Sequence, residues 1–119
     1  MVSHHGELEV WKKAHRFALD VYRATQKFPR EEMYGLTAQL RRAAVAIAAN
    51  IAEGGARQSR REFLRFCYIA RGSASESDYL LLVSRDLGIL SATEFGKLNP
   101  EAGSIGRMLT TLIKALRNG

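Results

Sequence analysis

Residues 43–52 read Ala-Ala-Val-Ala-Ile-Ala-Ala-Asn-Ile-Ala, a run that places apolar side chains on nearly every side of a helix. A helix on the surface of a bundle needs only one apolar stripe. This one is therefore expected to be covered twice: by its own core, and by a neighbouring subunit whose backbone the alanines let approach. Elsewhere, apolar residues recur at three- and four-residue steps and no alternating β-branched run competes with them. The chain has two prolines, Pro29 and Pro100, so long stretches are free to be helical.

The first helix is expected over about 7–27, where Leu8, Trp11, Ala14, His15, Ala18, Val21 and Tyr22 share a face. Phe28-Pro29 ends it, because proline disfavours the helical conformation of the residue before it. A second helix is expected over about 31–53, with Glu31 and Glu32 at its positive N-terminal end and Gly54-Gly55 as terminator. The third, about 59–87, opens on Ser59-Arg60-Arg61-Glu62, a pattern in which serine and glutamate satisfy the free N–H groups of the first turn. Phe63, Phe66, Cys67, Ala70, Ala74, Ser77, Leu80 and Leu81 mark its buried face, and Leu64, Tyr68, Tyr79 and Leu82 form a second row. That is again more apolar surface than one seam requires.

Gly88 is expected as a left-handed terminator, and Ser91-Ala92-Thr93-Glu94 repeats the capping pattern to open a fourth helix over about 91–117. Its start is expected to be weak or broken, with the main helix running from about 101, since Gly96, Asn99-Pro100, Gly103 and Gly106 all lower helix propensity. Four long segments with short connections run antiparallel to their chain neighbours. The expected fold is all-α, an antiparallel up-down-up-down four-helix bundle in a single domain over residues 1–119.

A chain of 119 residues with one cysteine forms no internal disulfide and no thiolate-based metal cluster, which suits a reducing compartment. The opening residues lack the charged and apolar regions of a secretory signal, and no later run reaches the ~20 apolar residues of a membrane span. A cytoplasmic protein without membrane contact is expected. Metalloprotease, dinucleotide-binding, P-loop and nucleophile-elbow motifs are absent, so neither catalysis nor a cofactor is expected. His4 and His5, adjacent and without a third ligand, make a poor zinc site. His15 is expected to be a half-buried packing residue beside Trp11, and Cys67 a small core hydrophobe.

The net charge is +6, which favours acidic partners, nucleic acid foremost. Much of it is local: residues 57–71 carry five arginines against Glu62. Arg57, Arg60, Arg61 and Arg65 are the candidate phosphate contacts, Arg57, Arg61 and Arg65 at four-residue steps. Phe63 and Phe66 are expected to belong to the core, which leaves backbone contact without sequence readout as the natural mode. Arg41 and Arg42 stand mid-helix among alanines. One of them is expected to pair with Glu76 or Asp78 of the third helix, within the chain or between subunits, and so to set register. Asn50 reads as a polar peg in the alanine-rich interface.

The whole stretch from Tyr34-Gly35-Leu36-Thr37-Ala38-Gln39-Leu40 through Ile47-Ala48-Ala49-Asn50-Ile51-Ala52-Glu53-Gly54 resembles the four-helix bundle protein family first noticed as reading frames in intervening sequences of bacterial 23S ribosomal RNA genes. Leu8-Glu9-Val10-Trp11-Lys12-Lys13-Ala14-His15 upstream carries the same resemblance, as do Arg60-Arg61-Glu62-Phe63, Ala70-Arg71-Gly72-Ser73 and Glu76 downstream. The resemblance implies a left-turning up-down bundle that assembles as a homopentamer. It also implies a relationship to the accessory protein of diversity-generating retroelements, which binds nucleic acid and a reverse transcriptase. The small-Pro-Ala-Asn stretch common in relatives reads Ile47-Ala48-Ala49-Asn50 here, with alanine where proline often stands, which predicts a straighter second helix.

Together these readings predict a non-enzymatic homo-oligomer, a pentamer by resemblance, whose basic end engages RNA, DNA or a nucleic-acid-handling protein. The alternative is a structural or adaptor protein whose charge serves solubility.

Overall fold

The structure is a computed structural model that describes the backbone of residues 5–119 and the side chains of residues 8–119. Four helices follow one another: α1 (His5–Thr25), α2 (Leu36–Gly55), α3 (Arg60–Asp86) and α4 (Ala92–Asn118). A 3-10 turn at Arg30–Glu32 precedes α2, and no strand occurs among the described residues. The expected all-α helical bundle is what the chain forms. The expectation for His4 and His5 lies outside the described side chains.

Each helix contributes fully buried residues to one core: Phe17 and Val21 from α1, Ile47 and Ile51 from α2, Phe63 and Leu81 from α3, Ile105 and Leu109 from α4. Burial of each such side chain contributes about 1.5–3 kcal/mol. Polar contacts at two levels show how the helices run. Arg71 Nη1 donates to Thr110 Oγ1 at 3.3 Å and Asn99 Nδ2 to Asp78 Oδ1 at 2.6 Å, so α4 passes α3 in the opposite direction. Lys13 with Ser104 and Asp20 with Glu101 give the same reversed order for α1 and α4.

Three boundaries differ from the sequence expectation. First, α2 starts at Leu36 rather than near 31, because Gly35 adopts φ −108° and ψ −114°, outside the helical region. Glu31 and Glu32 fall in the preceding turn, and Glu32 Oε1 accepts from the Leu36 N–H at 3.1 Å, capping α2 from outside. Second, α1 ends at Thr25, and the chain continues to Phe28 through bonds to carbonyls three residues back. Third, α4 is one unbroken helix that contains Pro100. Burial of Leu98, Ala102 and Ile105 on both sides of the proline outweighs the weak propensity of the glycines, and the Asn99–Asp78 bond ties the same turn to α3.

The two capping serines and Gly88 stand as expected. Ser59 Oγ accepts from the Glu62 N–H at 3.2 Å and Ser91 Oγ from the Glu94 N–H at 3.1 Å, opening α3 and α4. Gly88, at φ 76°, turns the chain between them. Gly54 and Gly55, expected to terminate α2, instead lie inside its last turn, and Ala56 caps the helix. A Cβ at Gly54 would stand 2.7 Å from Phe66 Cβ and 2.9 Å from Phe63 Cδ1, so the absence of a side chain is what lets α2 close onto α3.

Gly54→Ala should therefore destabilise the fold by about 1–3 kcal/mol through overpacking. Gly72→Ala, with open space around the added methyl, should be neutral or stabilise by up to ~1 kcal/mol. Thermal unfolding of the two variants beside the parent separates close approach from helix propensity.

Candidate nucleic-acid interface

The Ser59 cap and the Gly54 contact together fix the short loop between α2 and α3, and the arginines of interest project from it and from the first turns of α3. Arg57, Arg60, Arg61 and Arg65 are all exposed. They do not stand alike. Arg57 Nη2 meets Glu53 Oε2 at 2.8 Å, and Arg65 Nη2 meets Glu62 Oε1 at 3.6 Å. Exposed pairs of this kind contribute only about 0.2–1 kcal/mol, so a phosphate can compete for either guanidinium.

Both of these guanidiniums also lie over the ring of Phe66, at 5.1 Å for Arg57 and 4.7 Å for Arg65. Phe66 is buried, as expected, yet its ring attracts both cations. Arg60 and Arg61 have no ion-pair partner among the described residues. Arg60 lies against the chain's last residue, its Cζ 3.6 Å from where a Cβ on Gly119 would stand. The end of α4 therefore comes to the start of α3, and it brings the exposed Lys114 and Arg117 to the same end. Sequence reasoning missed these two. The signal was present in the antiparallel topology, which brings the last turn of the fourth helix level with the first turn of the third.

The register residues stand differently from the expectation. Arg41 Nε donates to Thr25 Oγ1 at 2.8 Å and Nη2 to the Tyr22 carbonyl at 3.4 Å, and its guanidinium lies 4.5 Å from the Tyr22 ring centre. It ties α2 to α1. Within the chain, neither Arg41 nor Arg42 pairs with Glu76 or Asp78: Arg42 and Glu76 are both exposed, and Asp78 turns to Asn99 on α4. Helical spacing told that Arg41 leaves the α2 core but not which neighbouring helix it meets. Asn50 is half-buried and donates Nδ2 to the Ala46 carbonyl of its own helix at 2.7 Å.

His15 is exposed rather than half-buried, and stacks flat on Trp11 with ring centres 5.2 Å apart. Cys67 is buried. No group of three or more metal-ligating side chains occurs among the described residues, and no described helix is long and apolar enough to cross a membrane.

Among the described residues one titratable group, Glu101, is strongly perturbed. The carboxyl of Glu101 is raised from its ordinary 4.5 to about 7, chiefly by burial and then by the hydrogen bond and negative charge of Asp20, against the opposing charges of Lys97 and Arg16. Glu101 Oε2 is buried with no hydrogen-bond donor in reach, beside a small cleft lined by Lys13, Arg16 and Ile105. A proton on Glu101 supplies the donor that two ionised carboxylates lack. This contact clamps the α1/α4 seam and lies on a different face from the arginine end.

Among known proteins, the family described as "23S rRNA-intervening sequence protein" matches residues 6–111. No curated protein matches the chain. A crystal structure from Bacteroides thetaiotaomicron, described as a protein with unknown function from the S23 ribosomal protein family, is similar with a TM-score of 0.85 and 24% identity. The similarity covers 92% of this chain and 98% of that one, and at this identity it speaks for the fold.

The Glu101 proton sets a pH dependence. Its folded pKa is raised, so the stabilisation is full below about pH 4.5 and is lost as the pH rises through about 7. Glu101→Gln, which carries an amide donor at every pH, should abolish that part of the slope. Urea unfolding of parent and variant at pH 5, 6, 7 and 8 checks it; parallel stability curves would show that Glu101 is not the source.

Proposed function

Because the chain belongs to the 23S rRNA-intervening sequence protein family, and because Arg60 and Arg61 stand exposed without carboxylate partners among the described residues, we propose a non-enzymatic homo-oligomer whose basic end grips the phosphate backbone of nucleic acid. The free guanidinium pair carries the reading. Arg57 and Arg65, held over Phe66, stand beside it and need only exchange weak exposed carboxylates for phosphates. Lys114 and Arg117 add charge from α4. The contact is electrostatic and without base readout, so RNA and DNA of different sequence bind alike.

Self-assembly multiplies this patch. Along α1 and α2 runs an apolar groove of about 400 Å³ lined by Trp11, Leu19, Tyr22, Val45 and Ala49. Leu19, Tyr22 and Val45 remain 41, 43 and 43% exposed within the single chain. On α3, Ile69 and Tyr79 are exposed as well, at separate places along the helix. An apolar groove on α1/α2 with unlike apolar side chains exposed on α3 favours head-to-tail contact, which closes into a ring when the rotation allows. Resemblance to the family supplies five as the number of copies. Each copy in the ring raises the effective concentration of basic ends for one polyanion.

Light scattering should give a mass several times that of the chain, and Leu19→Glu with Val45→Glu should reduce it to the monomer while leaving the helical circular dichroism intact. A parent that is already monomeric would sink the assembly. Fluorescence anisotropy with labelled RNA and DNA over a salt series should show steep salt dependence. Replacing Arg57, Arg60, Arg61 and Arg65 with Ser should flatten the log–log slope by up to ~3 per chain for a single strand. An oligomer blind to both nucleic acids would favour the adaptor reading instead.

A further inference from the structure

An open groove of about 520 Å³ runs between α3 and α4, walled by Arg71 and Asp78 on one side and by Arg107 and Thr110 on the other. Its floor is bare at Gly103 and Gly106. Arg107 lays its guanidinium over that floor, with Nη1 3.4 Å from where a Cβ on Gly103 would stand. Across from it, half-buried Arg71 is held in place twice: Nη1 donates to Thr110 Oγ1 at 3.3 Å, and the guanidinium stacks on Tyr68 at 5.2 Å. Neither arginine has an ion-pair partner among the described residues. Asp78, the acid of the groove, is engaged by Asn99 Nδ2 at 2.6 Å.

The groove continues the basic end. Arg60 and Arg71 are eleven residues apart on one stripe of α3, about 16 Å at 1.5 Å per residue. Lys114 and Arg117 continue the stripe of Thr110 along α4. A nucleic-acid strand carries one charge per ~3.4 Å of helix axis, so roughly five phosphates span that distance. We infer that the α3/α4 groove is a second phosphodiester-binding site, in which Arg71 and Arg107 extend a track begun by Arg60 and Arg61. The inference rests on the nucleic-acid reading above and adds a path for the strand. The fit favours a phosphodiester over an acidic peptide, because two guanidiniums without ion-pair partners among the described residues face one open trench with glycines on its floor, and each can take a phosphate oxygen pair.

The test uses the full chain and a fluorescein-labelled, mixed-sequence 20-nucleotide strand, once as RNA and once as DNA. One variant joins Arg71→Gln with Arg107→Gln. The other, Gly106→Phe, fills the groove without touching a charge; a Cβ at Gly106 meets nothing within 4 Å, so the ring has room. Each variant should weaken binding about tenfold at moderate salt, and the double arginine variant should lower the salt slope by ~1.4 for a single strand. Thermal unfolding should show both variants folded. If the groove variants bind like the parent while the four-serine variant of the basic end loses binding, the groove site falls and the proposed function stands. If the parent binds neither strand, both fall. Competition by polyglutamate as effective as by the unlabelled strand would overturn the phosphodiester assignment. A change in oligomer mass for Gly106→Phe with unchanged affinity would assign the groove to contacts between copies and overturn it too.

Discussion

The approach of α2 to α3 at Gly54 governs both the packing and the placement of charge. With no side chain at Gly54, the backbone of α2 comes within van der Waals reach of Phe63 and Phe66. That closeness buries Phe63 fully and leaves the ring of Phe66 as a platform for Arg57 and Arg65. The same few residues thus seal one end of the core and set the spacing of two cations on its surface. A bulkier residue would push the helices apart and separate the guanidiniums with them.

Away from that end, register is kept by polar contacts placed between helices rather than by apolar packing alone, which tolerates small slides. Arg41 ties α2 to α1 through Thr25 and Tyr22. Asn99 and Arg71 tie α4 to α3. The hydrogen bond between Asp20 and Glu101 ties α4 to α1, and the raised carboxyl of Glu101 makes that contact depend on pH. An unmade buried hydrogen bond is costly, so each contact penalises a slipped arrangement more than it stabilises the right one. Pro100 survives inside α4 for a related reason: the helix around it is held by its neighbours, not by its own propensity.

The surface divides by chemistry. Apolar side chains gather in the α1/α2 groove and on part of α3, while unpaired guanidiniums gather at the end where α2, α3 and α4 meet and along the α3/α4 groove. The α1/α2 groove and the α3/α4 groove have no lining residue in common. Weak ion pairs at Glu53 and Glu62 keep the arginine end from repelling itself while leaving its charge available.

Much of this was legible in the sequence, since it depends on neighbours along the chain. The four helices follow from apolar steps of three and four, the starts of α3 and α4 from serine and glutamate three residues apart, and the turn after α3 from Gly88. The cluster Arg57, Arg60, Arg61 and Arg65 was visible because its members are close in sequence. The tertiary structure decided what depends on residues far apart in the chain. It sent Arg41 to α1 instead of α3, carried α4 unbroken through Pro100, brought Lys114 and Arg117 to the arginine end and set Arg71 across a groove from Arg107. The physical reason is that helical periodicity tells which side of a helix is buried, whereas the neighbour it is buried against is chosen by packing and chain direction summed over the whole bundle.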